Sequence, residues 1–239
     1  MHSKEGVTKG DPLVMIPYGK GALPLIRELR NAHPRVTQPW YADDAGAGGT
    51  FQQVQEHFWY LQVRRPARGY YQEPKKSILF VALGNVAWAE EHFRGHGIRV
   101  VMRHRYLGGF IGDADAERGW LREKIRGWIE SVKLLAGVAH KHPQSAYAGL
   151  KKSLQKEWDF VQRVTLGVRD AFGPVEEALR EIFVPALYEG LMEGVPEREI
   201  NRLTVKQAGL ALPDPTQTAP ENWSASCVIT GHLVVALRV

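Results

Sequence analysis

Apolar residues fall into two regimes along this chain. Up to about residue 112 they come in short runs broken by glycine and proline. Beyond it they recur at helical spacing. In the first regime, Leu13 to Leu29 is mostly apolar but interrupted by Gly19, Gly21 and Pro24, which predicts a broken or kinked helix. Val36 to Ala42 predicts a short strand, Asp43-Asp44 a tight turn and Ala45 to Gly49 a return strand. Together they make a β-hairpin with two acidic residues at its tip. Thr50 is a good N-cap, and Phe51, Val54, Phe58 and Leu61 place an amphipathic helix over 51–64. Ser77 to Leu83 predicts a continuous apolar strand, and Asn85 caps a helix reaching about Phe93. Ile98 to Met102 and Tyr106 to Ile111 predict two more strands, joined by a basic turn at Arg103-His104-Arg105.

From Asp113 onward the pattern is helical. Leu121, Ile125, Trp128, Val132 and Leu135 mark one long amphipathic helix. Pro143 opens another, with Leu150, Leu154 and Val161 on its apolar side. A third begins near Pro174, and shorter helices follow at 197–203 and 221–236. The expected fold is α+β: an antiparallel sheet with flanking helices over 1–112, then an all-α bundle over 113–239.

Composition narrows the class. The 239 residues are 44% hydrophobic and 24% charged, an ordinary balance for a globular chain. No run approaches the roughly 18 apolar residues that span a bilayer, and Met1-His2-Ser3-Lys4-Glu5-Gly6 lacks a secretory apolar stretch, so an intracellular location is expected. A single cysteine, Cys227, excludes an intrachain disulfide and any cysteine-based zinc site. There is no Gly-x-Ser-x-Gly elbow, and Gly19-Lys20-Gly21 lacks the spacing of a phosphate loop. His92 and His96 lack the glutamate of a zinc-protease helix. The net charge of +5 is uneven: residues 1–170 carry 26 Lys/Arg against 17 Asp/Glu, and the remainder is acidic. Such a surface suits a polyanion or is simply solvated.

Adjacent carboxylates at a hairpin tip repel one another, and a divalent cation offsets that repulsion. Asp-Asp is equally a common solvent-exposed turn pair. The surrounding residues favour the first reading. Tyr41-Ala42-Asp43-Asp44 resembles the YxDD signature of reverse transcriptases. Glu5 to Leu13, with Gly10-Asp11-Pro12, resembles that family's motif B, with Lys9 where the family usually has glutamine. Pro74-Lys75-Lys76-Ser77 resembles motif D, and Arg105 to Gly112 resembles motif E, the primer grip. The four motifs stand in family order across nearly the whole chain, in wording similar to retrotransposon elements.

The resemblance implies a partial polymerase palm followed by a helical thumb. It implies that Asp43 and Asp44 are catalytic carboxylates facing two Mg²⁺ ions about 3.5–4 Å apart, with Lys76 meeting the leaving pyrophosphate. Gly10, Pro12 and Tyr41 would contact the incoming deoxynucleoside triphosphate. Leu107, Gly108 and Gly109 would support the primer end. Arg122, Arg126, Lys151 and Lys152 are the foremost thumb cations for the template–primer backbone, beside Lys124, Lys133, Lys156 and Arg163. Trp120, Trp128 and Trp158 fit helix packing as well as base stacking. Motif A and the fingers have no counterpart in these residues, so the isolated chain is expected to be inactive, with a missing N-terminal half as one partner. A non-catalytic nucleic-acid-binding domain and a decayed retroelement product are the alternatives.

Overall fold

Thr50 begins the best-capped helix of the chain. Its hydroxyl accepts from the Gln53 backbone N–H while the Gln53 side chain accepts from the Thr50 N–H, a reciprocal capping box. The structure, a computed structural model, describes residues 15–41, 44–189 and 198–238. These fall into two units, one of 15–77 with 96–98 and 231–238, the other of 78–95 with 99–230.

In the first unit, α1 (Met15–Ala32) and α2 (Phe51–Arg64) bury Leu25, Leu29 and Leu61, with Trp40, Tyr60 and Tyr70 packed around them. α1 is one continuous helix. Pro24 lies inside it, so the expected break does not occur, though proline removes one hydrogen bond there. Between the helices, β1 (Trp40–Tyr41) pairs antiparallel with β2 (Asp44–Ala45), Trp40 opposite Ala45 and Tyr41 opposite Asp44. The same register continues outward: Gly46 N donates to Pro39 O at 2.8 Å, and Thr37 and Gly48 exchange both backbone bonds at 2.8 Å. Pro39 has no N–H, so the ladder is interrupted and the regular strands are two residues long.

In the second unit, β3 (Ile78–Phe80) runs parallel to β4 (Arg99–Val101), with α3 (Val86–His92) between them in sequence. The expected antiparallel sheet is therefore corrected: there are three two-stranded sheets among the described residues, and one is parallel. A long connection carrying a helix permits parallel pairing, which a tight turn does not. The strand expected over Tyr106 to Ile111 is instead broken by a hairpin turn at Leu107-Gly108. β5 (His104–Tyr106) pairs with β6 (Gly109–Ile111) through Leu107-Gly108; Arg103 lies in a bend after β4, while His104 and Arg105 enter β5.

The helical part follows the apolar stripes. Asp113 caps α4 (Ala114–Ala139) by accepting from Ala116 N at 2.9 Å, and that bond holds its carboxyl below the usual range. Leu121, Ile125, Trp128, Val132, Ala136 and Ala139 form the buried stripe of α4. α5 (Pro143–Gly149) passes through a π-helical turn at Leu150–Leu154 into α6 (Gln155–Val164). α7 (Gly173–Ala178) passes through a second at Leu179–Phe183 into α8 (Val184–Tyr188). Trp128 stacks on Phe172 and meets Trp158 edge-on, and both tryptophans are core residues, not open platforms.

α9 (Arg198–Arg202) and the start of α10 (Pro215–Arg238) bracket an extended segment held by side chains of several helices. Tyr147 donates to Leu210 O, Lys151 to Ala211 O, Arg198 to the carbonyls of Leu212 and Pro213, and Gln162 to Pro215 O. Such strapping satisfies carbonyls that no regular element serves. Arg198, Glu176, Arg202 and Asp214 form a charge network beside it. Asp214 starts α10 by accepting from Thr216 N at 2.8 Å, so this helix begins six residues before the expected position.

Candidate nucleic-acid interface

Strand alternation decides which way the acidic hairpin faces. Directly opposite residues share a face, and faces alternate along each strand. Val36 and Gln38 are buried and Trp40 packs on the Leu25–Leu29–Leu61 cluster, so the even-numbered positions of the first strand face the core. Asp44 therefore belongs to the opposite face, and its side chain is exposed. Asp44 pairs with Tyr41, so it sits at the start of the return strand and not in the turn. Asp43, Gly10 and Pro12 lie outside the described residues, and of Tyr41 only the backbone is described.

Lys76 ends a short turn at Pro74–Lys76, where its N–H donates to Glu73 O at 3.1 Å. Its side chain is exposed, and no hydrogen bond or ion pair joins it to Asp44. Behind the hairpin, the first unit carries an unusual polar core. His33 Nε2, both amide atoms of Gln38, Trp40 Nε1 and His57 Nδ1 are buried without hydrogen-bond partners. His57 and His33 meet edge-on at 5.6 Å. Burial, seconded by the charge of His33, pushes the His57 imidazole down to about 4, so it is neutral near pH 7.

In the second unit, the glycine hairpin is built for close approach. Leu107 and Gly108 have φ of 47° and 83°, the pair of positive values that a type I′ turn requires. Leucine is a poor residue for that conformation, which costs a non-glycine residue about 1 kcal/mol. A Cβ on Gly108 would lie 2.8 Å from a ring carbon of Phe160, and one on Gly109 would lie 3.4 Å from a Val164 methyl. Phe110 stacks on Trp120 at 5.6 Å, fixing the other side of the hairpin. The tip residue Leu107 remains 48% exposed, and Phe160 41% exposed.

The cations of the helical region separate into engaged and open groups. Arg126 pairs with Glu123 at 3.0 Å, and Lys133 with Glu130 at 2.9 Å. Both pairs are exposed, so they hold their partners weakly. Lys151 is turned inward onto the Ala211 carbonyl, and burial together with Lys156 lowers its pKa. That removes it from the foremost candidates for a phosphate backbone. Arg122, Lys152 and Arg163 are exposed and make no ion pair among the described residues. Lys156 reaches Asp159 at 3.5 Å while its own side chain stays 63% exposed.

Phe160 escaped the sequence reading, because Leu150, Leu154 and Val161 account for the buried face of that helix. Its signal was available: a large aromatic off the apolar stripe, with Lys156 four residues before it and Arg163 three after. Among the described residues, no group of three or more histidine, cysteine, aspartate or glutamate side chains could hold a metal ion, and no helix is long and apolar enough to cross a membrane. In comparison with known proteins, no family model, no curated protein and no solved structure matches this chain.

Proposed function

We propose that this chain is the palm-and-thumb part of a reverse-transcriptase-type polymerase, and that by itself it holds a template–primer duplex without extending it. The observation carrying this reading is the β1–β2 register. It places Asp44 at the start of the return strand, on the face turned away from the core. That is the presentation a Tyr-x-Asp-Asp signature needs beside a nucleic-acid end.

Two-metal phosphoryl transfer needs several carboxylates around both ions. Asp43 lies outside the described residues, and Asp44 by itself is one carboxylate, so no catalytic step is derived at this hairpin. Duplex binding asks less. Arg122, Lys152 and Arg163 are open cations in one unit, and phosphate contacts position a duplex without reading its sequence.

Two assays on the purified chain test this. An RNA–DNA duplex should be retarded at low salt, with affinity falling linearly on a log–log plot against salt. Arg122→Ala with Lys152→Ala should lower the slope by about 1.8, near 0.9 for each phosphate that is no longer neutralised. Primer extension with Mg²⁺ and deoxynucleoside triphosphates should give no product. Absence of binding at low salt ends the proposal. Extension abolished by Asp43→Asn would instead show a working active site.

A further inference from the structure

The solvent face of α6 carries an aromatic, Phe160, that duplex-backbone binding does not use. Lys156, Phe160 and Arg163 follow at four and three residues, so they share one side of the helix, with Val164 beside them. The buried side of the same helix is Trp158, Val161 and Gln162. Phe160 is thus an aromatic placed toward water, between two cations one turn away on either side. The strained Leu107-Gly108 turn leans on its ring edge, and only a glycine at 108 permits that approach. Leu107 and Val164, 48% and 42% exposed, extend the apolar surface.

An apolar ridge flanked by like charges needs an occupant with flat apolar faces and a negative backbone. Single-stranded nucleic acid has both: bases stack on aromatic rings while phosphates meet the cations. Inside a paired duplex both faces of every base are covered, which leaves Phe160 unused along its length. We infer that Phe160 is a stacking platform for an unpaired base at the end of a nucleic-acid strand, with Lys156 and Arg163 meeting the adjoining phosphates and Leu107 bounding the ridge. This rests on the nucleic-acid reading of the second unit, and not on any chemistry at Asp43 or Asp44.

The test compares three RNA–DNA duplexes of equal paired length by fluorescence anisotropy. One is blunt, one carries a three-nucleotide 3′ overhang, and one carries an abasic overhang with the same phosphates. The overhang should bind roughly tenfold tighter than the blunt duplex, and the abasic form should fall near the blunt one. Phe160→Leu should bring the overhang preference to about onefold and leave blunt-duplex affinity unchanged, while Phe160→Trp keeps the preference. Thermal unfolding of Phe160→Leu checks that the hairpin support is intact, and Phe160→Trp retains a readout if it is not. The inference is overturned if wild type shows no overhang preference, or if the abasic overhang binds as tightly as the normal one. Unaltered preference in Phe160→Leu, or displacement of the overhang by an equal concentration of an acidic aromatic peptide, overturns it too. Loss of all binding, blunt duplex included, sinks the proposed function as well; loss of the preference alone sinks only the platform.

Discussion

Replacing Glu176 by leucine should unfold the helical bundle at markedly lower urea. Arg198 is the reason. Its side chain is 5% exposed, its Nε and Nη2 each donate to a Glu176 oxygen at 2.9 Å, and Nη1 donates to Leu212 O at 2.6 Å. Arg202 also reaches Glu176 at 3.0 Å, but keeps Asp214 at 3.1 Å. Removing Glu176 therefore strands one guanidinium, not two. An uncompensated buried charge costs about 3–5 kcal/mol, which at a typical urea slope for a domain this size is a midpoint shift of roughly 1.5–2.5 M. Arg198→Met leaves Glu176 with Arg202 but deprives two carbonyls of donors. In the double variant the charges that remain are Arg202 and Asp214, still paired, so it should be more stable than Glu176→Leu alone. Urea unfolding followed by the fluorescence of the buried Trp128 and Trp158 measures all four corners of this cycle. A midpoint shift under about 0.5 M for Glu176→Leu, or strict additivity of the two single changes, would refute the reasoning.

Two further predictions concern the hairpin and the polar core. Leu107→Asn should raise the thermal midpoint slightly, by the equivalent of about 0.5–1 kcal/mol, because asparagine tolerates the left-handed conformation that leucine resists. A lowered midpoint would show that the leucine side chain contributes more through packing than the turn loses through strain. His57 has a folded pKa near 4 against an ordinary 6.5, so protons bind the unfolded chain more readily. Its contribution is complete above about pH 6.5 and declines as pH falls toward 4, by roughly 2–3 kcal/mol in all. The difference in stability between wild type and His57→Phe, measured by urea titration from about pH 7 to 4, should follow that curve; a difference independent of pH removes His57 as the cause.

Much of the helical half was legible from spacing alone. The stripe of Leu121, Ile125, Trp128 and Val132 is a local property of one helix, and amphipathic periodicity reports it without knowledge of the partner. The Thr50 N-cap was equally local, since its bond closes within four residues; the reciprocal bond from Gln53 came from the structure. Strand partners were not legible. Whether Ile78–Phe80 pairs parallel or antiparallel depends on where a remote segment returns, and the apolar run reads the same either way. That Asp44 begins the return strand had the same origin, because register is a relation between two strands.

By itself, then, the sequence determined the helices of the bundle, the presence of a short hairpin between α1 and α2, and the basic bias of residues 1–170. Tertiary structure decided which side chains those elements left open. It turned Lys151 inward onto a carbonyl, buried Trp128 and Trp158, joined Arg198 to Glu176 across 22 residues, and set Phe160 outward beneath a glycine turn. The physical reason is that spacing along one element fixes which residues share a face. What covers that face, and hence whether a cation or an aromatic is spent on the core or kept for a partner, is settled by contacts between residues far apart in the chain.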